Sequence, residues 1–444
     1  MKLIINNPQL LNLMKLDYQS QDIQDIIDFL ENKNTFQFEA LDNNLFPASA
    51  VNCETSYTGY SRVWVRDNIY LAYTHYIINQ TDIAVSNVKT LLSYFTKYKS
   101  RFENIIEGNV DCNNVMERPH VRFDGDNLSE INQQWEHAQN DALGYFLWFY
   151  CKLVRENLIE ISPENLEILA LFPFYFQAIK YWQDEDSGHW EEERKIAASS
   201  IGVVIAGLKS LKSLLINPNL VINCQYKDNF VTTEFLDELI HNGEVALNKI
   251  LPAECIQPNP KYRQYDAALL FLIYPLQVVD EETSELILSN VINNLQGDYG
   301  IRRYLGDSFW CRDYKDIPEE IRTSISNERE QWFKKHNREL REKEEAQWCI
   351  FDPIISIIYG LKLQKTGKKE YLEQQINYLN RSLGQLTGKN CKSGEFKTPE
   401  LYYLQDNCYV ANDVIPLLWT QANLRMALKV MQDNLLKSPE ILNY

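Results

Sequence analysis

The chain has 444 residues, of which 45% are hydrophobic and 24% are charged, and its formal net charge is −17. This composition is that of a globular protein with ample material for a core, and it excludes extensive disorder. Because nucleic acids and anionic membranes both attract basic surfaces, we expect neither of them as a partner. Aromatic residues make up 12% of the chain, which is a high share for a globular protein.

Cysteine usage indicates the compartment. The nine cysteines are widely spaced and form no C-x-x-C pair, which favours reduced thiols in a cytoplasmic protein. The apolar run at the N-terminus ends after three residues, too few for a secretory signal, and the most apolar stretch (267–279) is short of the ~20 residues that span a bilayer. Neither a metal-binding spacing nor a glycine-rich phosphate loop is present, so we expect no metal and no cofactor.

Glycine and proline usage indicates one continuous domain. Only 16 glycines and 15 prolines occur, no linker divides the chain, and apolar residues follow helical spacing almost throughout. We assign residues 46–430 to this domain, residues 1–45 to a helical lead-in packed on it, and residues 431–444 to a C-terminal tail. A densely charged segment at 312–347 is expected to be a solvated helical insertion that covers the rim.

Polar residues stand directly before six apolar helical segments, and each pair is interpreted as a helix start. Asp, Asn and Ser side chains accept hydrogen bonds from the free N–H groups of a first turn. Each interval between starts has room for one helix, a return helix and two loops. This rhythm predicts six helical hairpins closed into a ring, with six helix N-termini on one face. The six starts are Arg66-Asp67, Asn140-Asp141, Ser199-Ser200, Tyr265-Asp266, Asp352-Pro353 and Asn412-Asp413.

If the six starts share a face, the side chains near them converge on one concavity. Aromatic rings, carboxylates and arginines suit a neutral polyhydroxyl ligand, because rings stack on the C–H faces of sugars while charged groups bond to hydroxyl pairs. The predicted lining is Arg66, Asp67, Trp135, Gln139, Asp141, Trp190, Glu191, Glu192, Arg303 and Glu400.

Two of these carboxyl groups fit glycosidic cleavage, which uses one protonated and one ionised carboxyl group. Glu191 follows Trp190 directly, and an indole wall raises the pKa of a carboxyl group by desolvation. Residue type alone favours a different interpretation: the acidic run at 184–193 is a solvated surface cluster, and Glu400 is an exposed loop residue.

Eight motifs in a fixed order resemble the glucoamylase-like glycoside hydrolases of the family fifteen superfamily. They are closest to the N-terminal domain of phosphorylase kinase alpha and beta subunits, and the resemblance runs from about residue 46 to 428. Among the motifs are Phe46-Pro47-Ala48-Ser49 with Trp64-Val65-Arg66-Asp67-Asn68-Ile69-Tyr70, Trp135-Glu136-His137-Ala138-Gln139-Asn140-Asp141-Ala142, Gly188-His189-Trp190-Glu191, Gly300-Ile301-Arg302-Arg303-Tyr304 and Pro399-Glu400-Leu401-Tyr402.

The resemblance implies an all-α fold, the (α/α)6 toroid, and a glycoside hydrolase. By position, Glu191 would be the general acid and Glu400 the general base of an inverting, exo-acting hydrolysis of terminal α-linked glucose from glucan or maltooligosaccharide ends. The glucose hydroxyls would be held by Arg66, Asp67 and Arg303, the pocket would be walled by Trp135, Trp190 and Trp419, and Glu192 would contact the sugar at the next subsite.

The same resemblance supports a second hypothesis, a glucan-sensing or regulatory protein that binds a sugar without turning it over. Phosphorylase kinase subunits keep both carboxylate motifs although their role is regulatory. Linkage preference and oligomeric state stay open.

Overall fold

The computed structural model describes residues 3–49, 59–218, 222–322, 326–338, 340 and 342–441. Within these residues the chain is mostly helical, with short 3-10 turns between the longer helices. The helices are α1 (Ser20–Asn32), α2 (Val65–Ile77), α3 (Thr81–Lys97), α4 (Ser100–Ile106), α5 (Asn140–Arg155), α6 (Pro163–Ala178), α7 (Ala198–Leu215), α8 (Thr233–Ile250), α9 (Leu270–Ile273), α10 (Glu281–Leu295), α11 (Ser326–Lys335), α12 (Phe351–Thr366), α13 (Lys369–Gly384) and α14 (Leu418–Ile441).

Six of these helices form a closed inner ring. In order, α2, α5, α7, α9, α12 and α14 each pack against the next, and α14 packs against α2. Each inner helix also packs against an outer helix; the outer partners are α3, α6, α8, α10, α13 and α1, respectively. The fold is therefore an (α/α)6 toroid, as predicted, and its core lies between the two layers of helices.

The two ends of the chain meet in the sixth hairpin. Helix α1 is the outer partner of α14, so the segment predicted as a lead-in supplies one of the twelve ring helices. The predicted boundary at residue 430 is wrong, because α14 continues without a break to Ile441. Residues 442–444 of the predicted tail lie outside the described residues.

Five of the six predicted helix starts lie within two residues of an observed start, which for Tyr265-Asp266 is the 3-10 turn Ala267–Leu269 that leads into α9. The exception is Asn412-Asp413, which follows a β-strand, while α14 begins only at Leu418. Only Asp266 among the predicted residues caps a helix, since its side chain accepts a hydrogen bond from the N–H of Ala268. The capping argument therefore located the inner helices but described most of these polar residues wrongly.

Two of the other polar residues, Asp352 and Asn140, lie inside first turns and make tertiary contacts instead. Asp352 is fully buried and accepts hydrogen bonds from Arg381 and Gln385 of the outer helix α13 or its end. Asn140 donates to Asp184 from the start of α5. A buried polar group needs a partner, and here the partner lies on the outer helix of the same hairpin or just beyond its end.

Short antiparallel strands connect the site-facing loops. Strands β1 (Val63–Trp64) and β2 (Arg122–Phe123) pair ahead of α2 and α5, and β3 (Gln225–Tyr226) pairs with β4 (Asn229–Phe230) ahead of α8. A third sheet has the order β5 (Gln347–Trp348), β6 (Leu401–Gln405) and β7 (Cys408–Ala411). In this sheet Trp348 lies opposite Leu401, which brings the residue before β6, Glu400, close to the start of α12.

Glycines allow α5 and α7 to approach closely. A Cβ atom on Gly144 would lie 2.9 Å from the carbonyl oxygen of Val203, and one on Gly207 would lie 2.8 Å from the oxygen of Gly144. By length and composition α7 could cross a membrane, but 78% of it is buried inside this protein, where it lies between α5 and α9.

The charged insertion at 312–347 is less solvated than predicted. It contains 3-10 turns at Tyr314–Asp316 and Glu319–Ile321 and the helix α11. Arg329 of α11 is fully buried, and its guanidinium lies over the ring of Phe309 and donates to Ser308. The insertion therefore packs into the molecule through α11. Residues 323–325, 339 and 341 of the predicted segment lie outside the described residues.

Candidate active site

A cavity of about 970 Å³ opens where the N-terminal ends of the inner helices meet, and we call it the main cavity. Its lining comes from loops that directly precede α2, α5, α7, α12 and α14, together with the insertion. Eight of the predicted site residues line it: Arg66, Asp67, Trp135, Trp190, Glu191, Arg303, Glu400 and Trp419.

Glu191 lies at the end of the 3-10 turn Gly188–Trp190 with a left-handed backbone, φ 58°. The indole N–H of Trp64 donates to its Oε1 at 2.6 Å, and Nη2 of Arg66 contacts the same oxygen at 3.3 Å. Burial raises the pKa of Glu191, and the positive charges of Arg66 and Arg122 only partly oppose this shift. Glu191 thus holds a proton to higher pH than an exposed glutamate, while one of its oxygens stays anchored.

Glu400 immediately precedes β6, is buried and lines the same cavity as Glu191. Its Oε1 accepts a 2.6 Å hydrogen bond from the hydroxyl of Tyr60, and its Oε2 accepts one of 2.5 Å from the amide of Asn412. Burial raises the pKa of Glu400 to about 7, although both donors lower it. Because each oxygen of Glu400 accepts a hydrogen bond, the contacts are those of an ionised carboxylate.

Arg66 is bonded to two residues that the sequence analysis predicted to line the concavity. Its Nη1 donates to Gln139 at 3.1 Å and to Asp141 at 3.0 Å. Gln139 and Asp141 do not line the main cavity, so their contribution is to position Arg66. Asp67 does line it, and burial raises the pKa of its carboxyl group to about 7.

Arg303 faces the main cavity as a rigid cation. It forms a bidentate pair with Asp307, with both N···O distances at 2.7 Å. Its guanidinium lies 5.2 Å from the ring of Trp190 and 4.7 Å from that of Trp348. The paired fork and the stacked rings fix the direction in which its remaining N–H groups point.

Three indole N–H groups on the wall have no hydrogen-bond partner among the described residues. They belong to Trp135, Trp348 and Trp419, and all three are buried. The indole of Trp190, by contrast, donates to Asp266 at 2.9 Å. Buried donors are normally paired, so these three indole N–H groups are donors that the described residues leave for an acceptor such as a ligand oxygen.

Glu192 does not line the main cavity, so its predicted contact with the sugar at the next subsite stays a prediction. Glu192 lines a different cavity and is bonded to Arg263 at 3.0 Å, to Arg303 at 3.1 Å and to the hydroxyl of Tyr304. Burial would raise the pKa of Glu192, but the two guanidinium groups outweigh burial and lower it to about 2. Its carboxylate positions Arg303.

Other lining residues were not identified from the sequence. The sequence contained a signal for Trp64 and Trp348, because each stands shortly before a predicted helix start. Trp64 is two residues before Arg66, and Trp348 is four residues before Asp352. No sequence signal pointed to Tyr60, because its partner Glu400 is 340 positions away along the chain. Within the described part of the chain, no three His, Cys, Asp or Glu side chains gather in a metal-binding arrangement.

Comparison with known proteins agrees with this fold. The sequence profile of the glycosyl hydrolases of family 15 matches residues 41–214. A glycosidase of known structure superposes with a TM-score of 0.64 at 13% identity, covering 94% of this chain and 99% of that one. A glycosidase in complex with glucose gives 0.61 at 14% identity with the same coverage, and glucoamylase from Saccharomycopsis fibuligera gives 0.58 at 12%, covering 94% and 97%.

The chain therefore has the glycoside hydrolase fold of the glucoamylase type. Its sequence is also similar to a probable phosphorylase b kinase regulatory subunit alpha from Drosophila melanogaster, with 23% identity over 375 residues. The match covers 76% of this chain and 26% of the relative, so the chain spans about a quarter of the curated relatives that it matches. The resemblance to glucoamylase-like hydrolases and to phosphorylase kinase alpha subunits, predicted from the motifs, is confirmed.

Proposed function

We propose that this protein is an inverting, exo-acting α-glucosidase that hydrolyses terminal α-linked glucose from glucan or maltooligosaccharide ends. The observation that carries the proposal is that two buried carboxyl groups, those of Glu191 and Glu400, line one aromatic-walled cavity. Glycosidic cleavage uses such a pair, one as acid and one as base. The glucose bound to one structurally similar glycosidase supports the choice of sugar.

The hydrogen bonds of the two carboxyl groups support a different role for each. Both donors to Glu191 contact Oε1, so Oε2 is the oxygen that would carry the proton to the leaving glycosidic oxygen. Burial raises the pKa of Glu400 to about 7 although a donor on each oxygen lowers it, and in its ionised form Glu400 would take a proton from the attacking water. In an inverting reaction that water attacks the anomeric carbon from the face opposite the leaving group.

The remaining wall would hold the terminal glucose. Arg66, Asp67 and Arg303 offer charged donors and acceptors for hydroxyl pairs, and the unpaired indole N–H groups add neutral donors. The rings of Trp135, Trp190 and Trp419 would contact the C–H faces of the sugar.

The test is to incubate the protein with maltotriose and to follow the anomer released by proton NMR. Release of β-glucose is expected, and Glu191→Gln and Glu400→Gln should each lower kcat by about 10²–10⁴-fold, the usual contribution of one acid or base. Glu373→Gln is the matched control, because this exposed carboxylate lies on the outer helix α13. Release of α-glucose would contradict the inverting mechanism.

A non-catalytic, glucan-sensing function is the alternative, and the regulatory phosphorylase kinase subunits among the relatives favour it. The same experiment separates the two. If the wild-type protein binds maltotriose with a measurable Kd but releases no glucose, the result would contradict hydrolysis and support the sensing function.

A further inference from the structure

A second cavity, of about 310 Å³, lies directly behind the wall of the main cavity. Three pairs of consecutive residues form the partition: Glu191 and Glu192, Arg303 and Tyr304, and Arg329 and Glu330. The first member of each pair lines the main cavity, and the second member lines the second cavity. The two spaces are therefore back to back, separated by a single layer of chain.

Three charged groups at the second cavity keep hydrogen-bonding capacity that the described residues do not fill. The carboxylates of Glu193 and Glu330 make no hydrogen bond or ion pair with any described residue, although both line the cavity. The ammonium of Lys195 is 95% buried, since its exposed fraction is 5%, and its one hydrogen bond goes to the backbone oxygen of Glu193 at 3.1 Å. Two acceptors and one donor thus remain for a ligand.

The signs of these charges exclude most ligand classes. An anion would meet Glu193 and Glu330, and a cation would meet Lys195 and the guanidinium of Arg263. The other cations and anions at the cavity are already paired: Lys261 with Glu185, and Arg263 with Glu192. A neutral ligand that both donates and accepts hydrogen bonds satisfies all three unused groups without a net charge.

Tyrosine rings complete the lining. Tyr262 and Tyr265 border the cavity, and Tyr262 is 48% exposed, so that its ring is accessible to a ligand. Its hydroxyl contacts only Gln264, the residue two positions on. Such a ring can contact a C–H face of a sugar, while the carboxylates and the ammonium can bond to its hydroxyl groups.

We propose that the second cavity is a separate binding site for a neutral saccharide. The hydroxyl groups of the sugar donate to Glu193 and Glu330 and accept from Lys195, while a C–H face of the sugar rests on Tyr262. The site does not need hydrolysis in the main cavity, so it stands independently of the proposed function.

The experiment is isothermal titration of maltose into Glu191→Gln, in which turnover is blocked, and into the wild-type protein if that shows no hydrolysis. In Tyr262→Ala/Glu330→Gln we expect one maltose site to weaken by about tenfold or more, which is the effect of a lost stacked ring and hydrogen bond. Tyr262→Phe, the matched control, keeps the ring and should keep the site. Neither side chain lines the main cavity, and unchanged thermal unfolding would show that the variants are folded.

Maltose binding that is the same in Tyr262→Ala/Glu330→Gln as in its parent would overturn the proposal. Binding of glucosamine, but not of maltose, at a site sensitive to these substitutions would overturn the neutral ligand class. Loss of a maltose site in a protein that releases no glucose would contradict hydrolysis while supporting the second cavity.

Discussion

Glu191 and Glu192 are consecutive residues whose carboxyl groups line two different cavities. The left-handed backbone of Glu191 turns the chain so that the two side chains separate. Burial raises the pKa of Glu191, whereas Arg263 and Arg303 lower that of Glu192 to about 2. Two adjacent carboxyl groups thus carry opposite functions: one can hold a proton, and the other is a permanent anion that positions Arg303.

Glu192→Gln tests the structural role of this anion. We expect the free energy of unfolding at neutral pH to fall by about 3–5 kcal/mol, the usual cost of breaking a buried ion pair. The folded pKa of Glu192, about 2, lies below its ordinary value of 4.5. Its stabilisation is therefore complete above about pH 4.5 and is lost as the pH falls towards 2.

Urea unfolding between pH 7 and pH 2.5 measures this prediction. The wild-type protein should lose stability over that range more steeply than Glu192→Gln, because the variant has no carboxylate to titrate at this position. Exposed Glu373→Gln serves as the control and should follow the wild type. Equal slopes for the wild type and Glu192→Gln would contradict the assigned ion pairs.

Tyr60→Phe tests the environment of Glu400. The hydrogen bond from Tyr60 lowers the pKa of Glu400, so its loss raises that pKa above its present value of about 7. A base works only when ionised, and activity is lost as the pH falls through its pKa. The acidic limb of the kcat/KM profile should therefore move to higher pH, by about one unit for one hydrogen bond to a charged group.

The measurement is kcat/KM for maltose across the pH range, with Tyr371→Phe on the outer helix α13 as the control. A limb that stays in place, or that moves to lower pH, would show that Glu400 does not act as the base in the way proposed.

Trp419→Phe tests the unpaired indole N–H groups of the main cavity. The substitution keeps an aromatic face against Tyr70 and Phe271 but removes a buried donor that has no protein partner. If the donor bonds to a sugar hydroxyl, maltotriose should bind about five- to tenfold more weakly to Trp419→Phe/Glu191→Gln than to Glu191→Gln. Titration calorimetry gives the Kd. Trp182→Phe, outside the main cavity, should leave it unchanged, and an unchanged Kd in Trp419→Phe would contradict the contact.

Gly144→Ala tests the close approach of α5 and α7. The added Cβ would lie 2.9 Å from the carbonyl oxygen of Val203 and from the nitrogen of Val204, both of them backbone atoms that cannot rotate away. We expect a loss of about 1–3 kcal/mol, as for other overpacked positions, and a lower Tm in thermal unfolding. Ser93→Ala, an exposed change on α3, should have little effect. A Tm equal to the wild type would mean that the helices can separate at no cost.

The rhythm of polar residues before apolar segments was enough to predict the toroid, because inner helices of such a ring are apolar on most sides and begin near a shared face. It was not enough to assign hydrogen bonds. Asp352 bonds with Arg381 and Gln385 rather than capping its own helix, and the start of α14 is six residues after Asn412. The hydrogen-bond partner of a buried polar side chain depends on which groups the packed hairpins bring next to it.

The sequence by itself determined the helical class, the ring of hairpins and the identity of Glu191 and Glu400 as candidate catalytic groups, since periodicity and motif order are local properties. Only the tertiary structure decided what surrounds them. It joined Tyr60 to Glu400 across 340 positions, and it placed Glu192 behind the wall with Arg263. Whether a carboxyl group holds or releases its proton depends on burial and on the nearest charges, and both of these are fixed by chain segments far away in sequence.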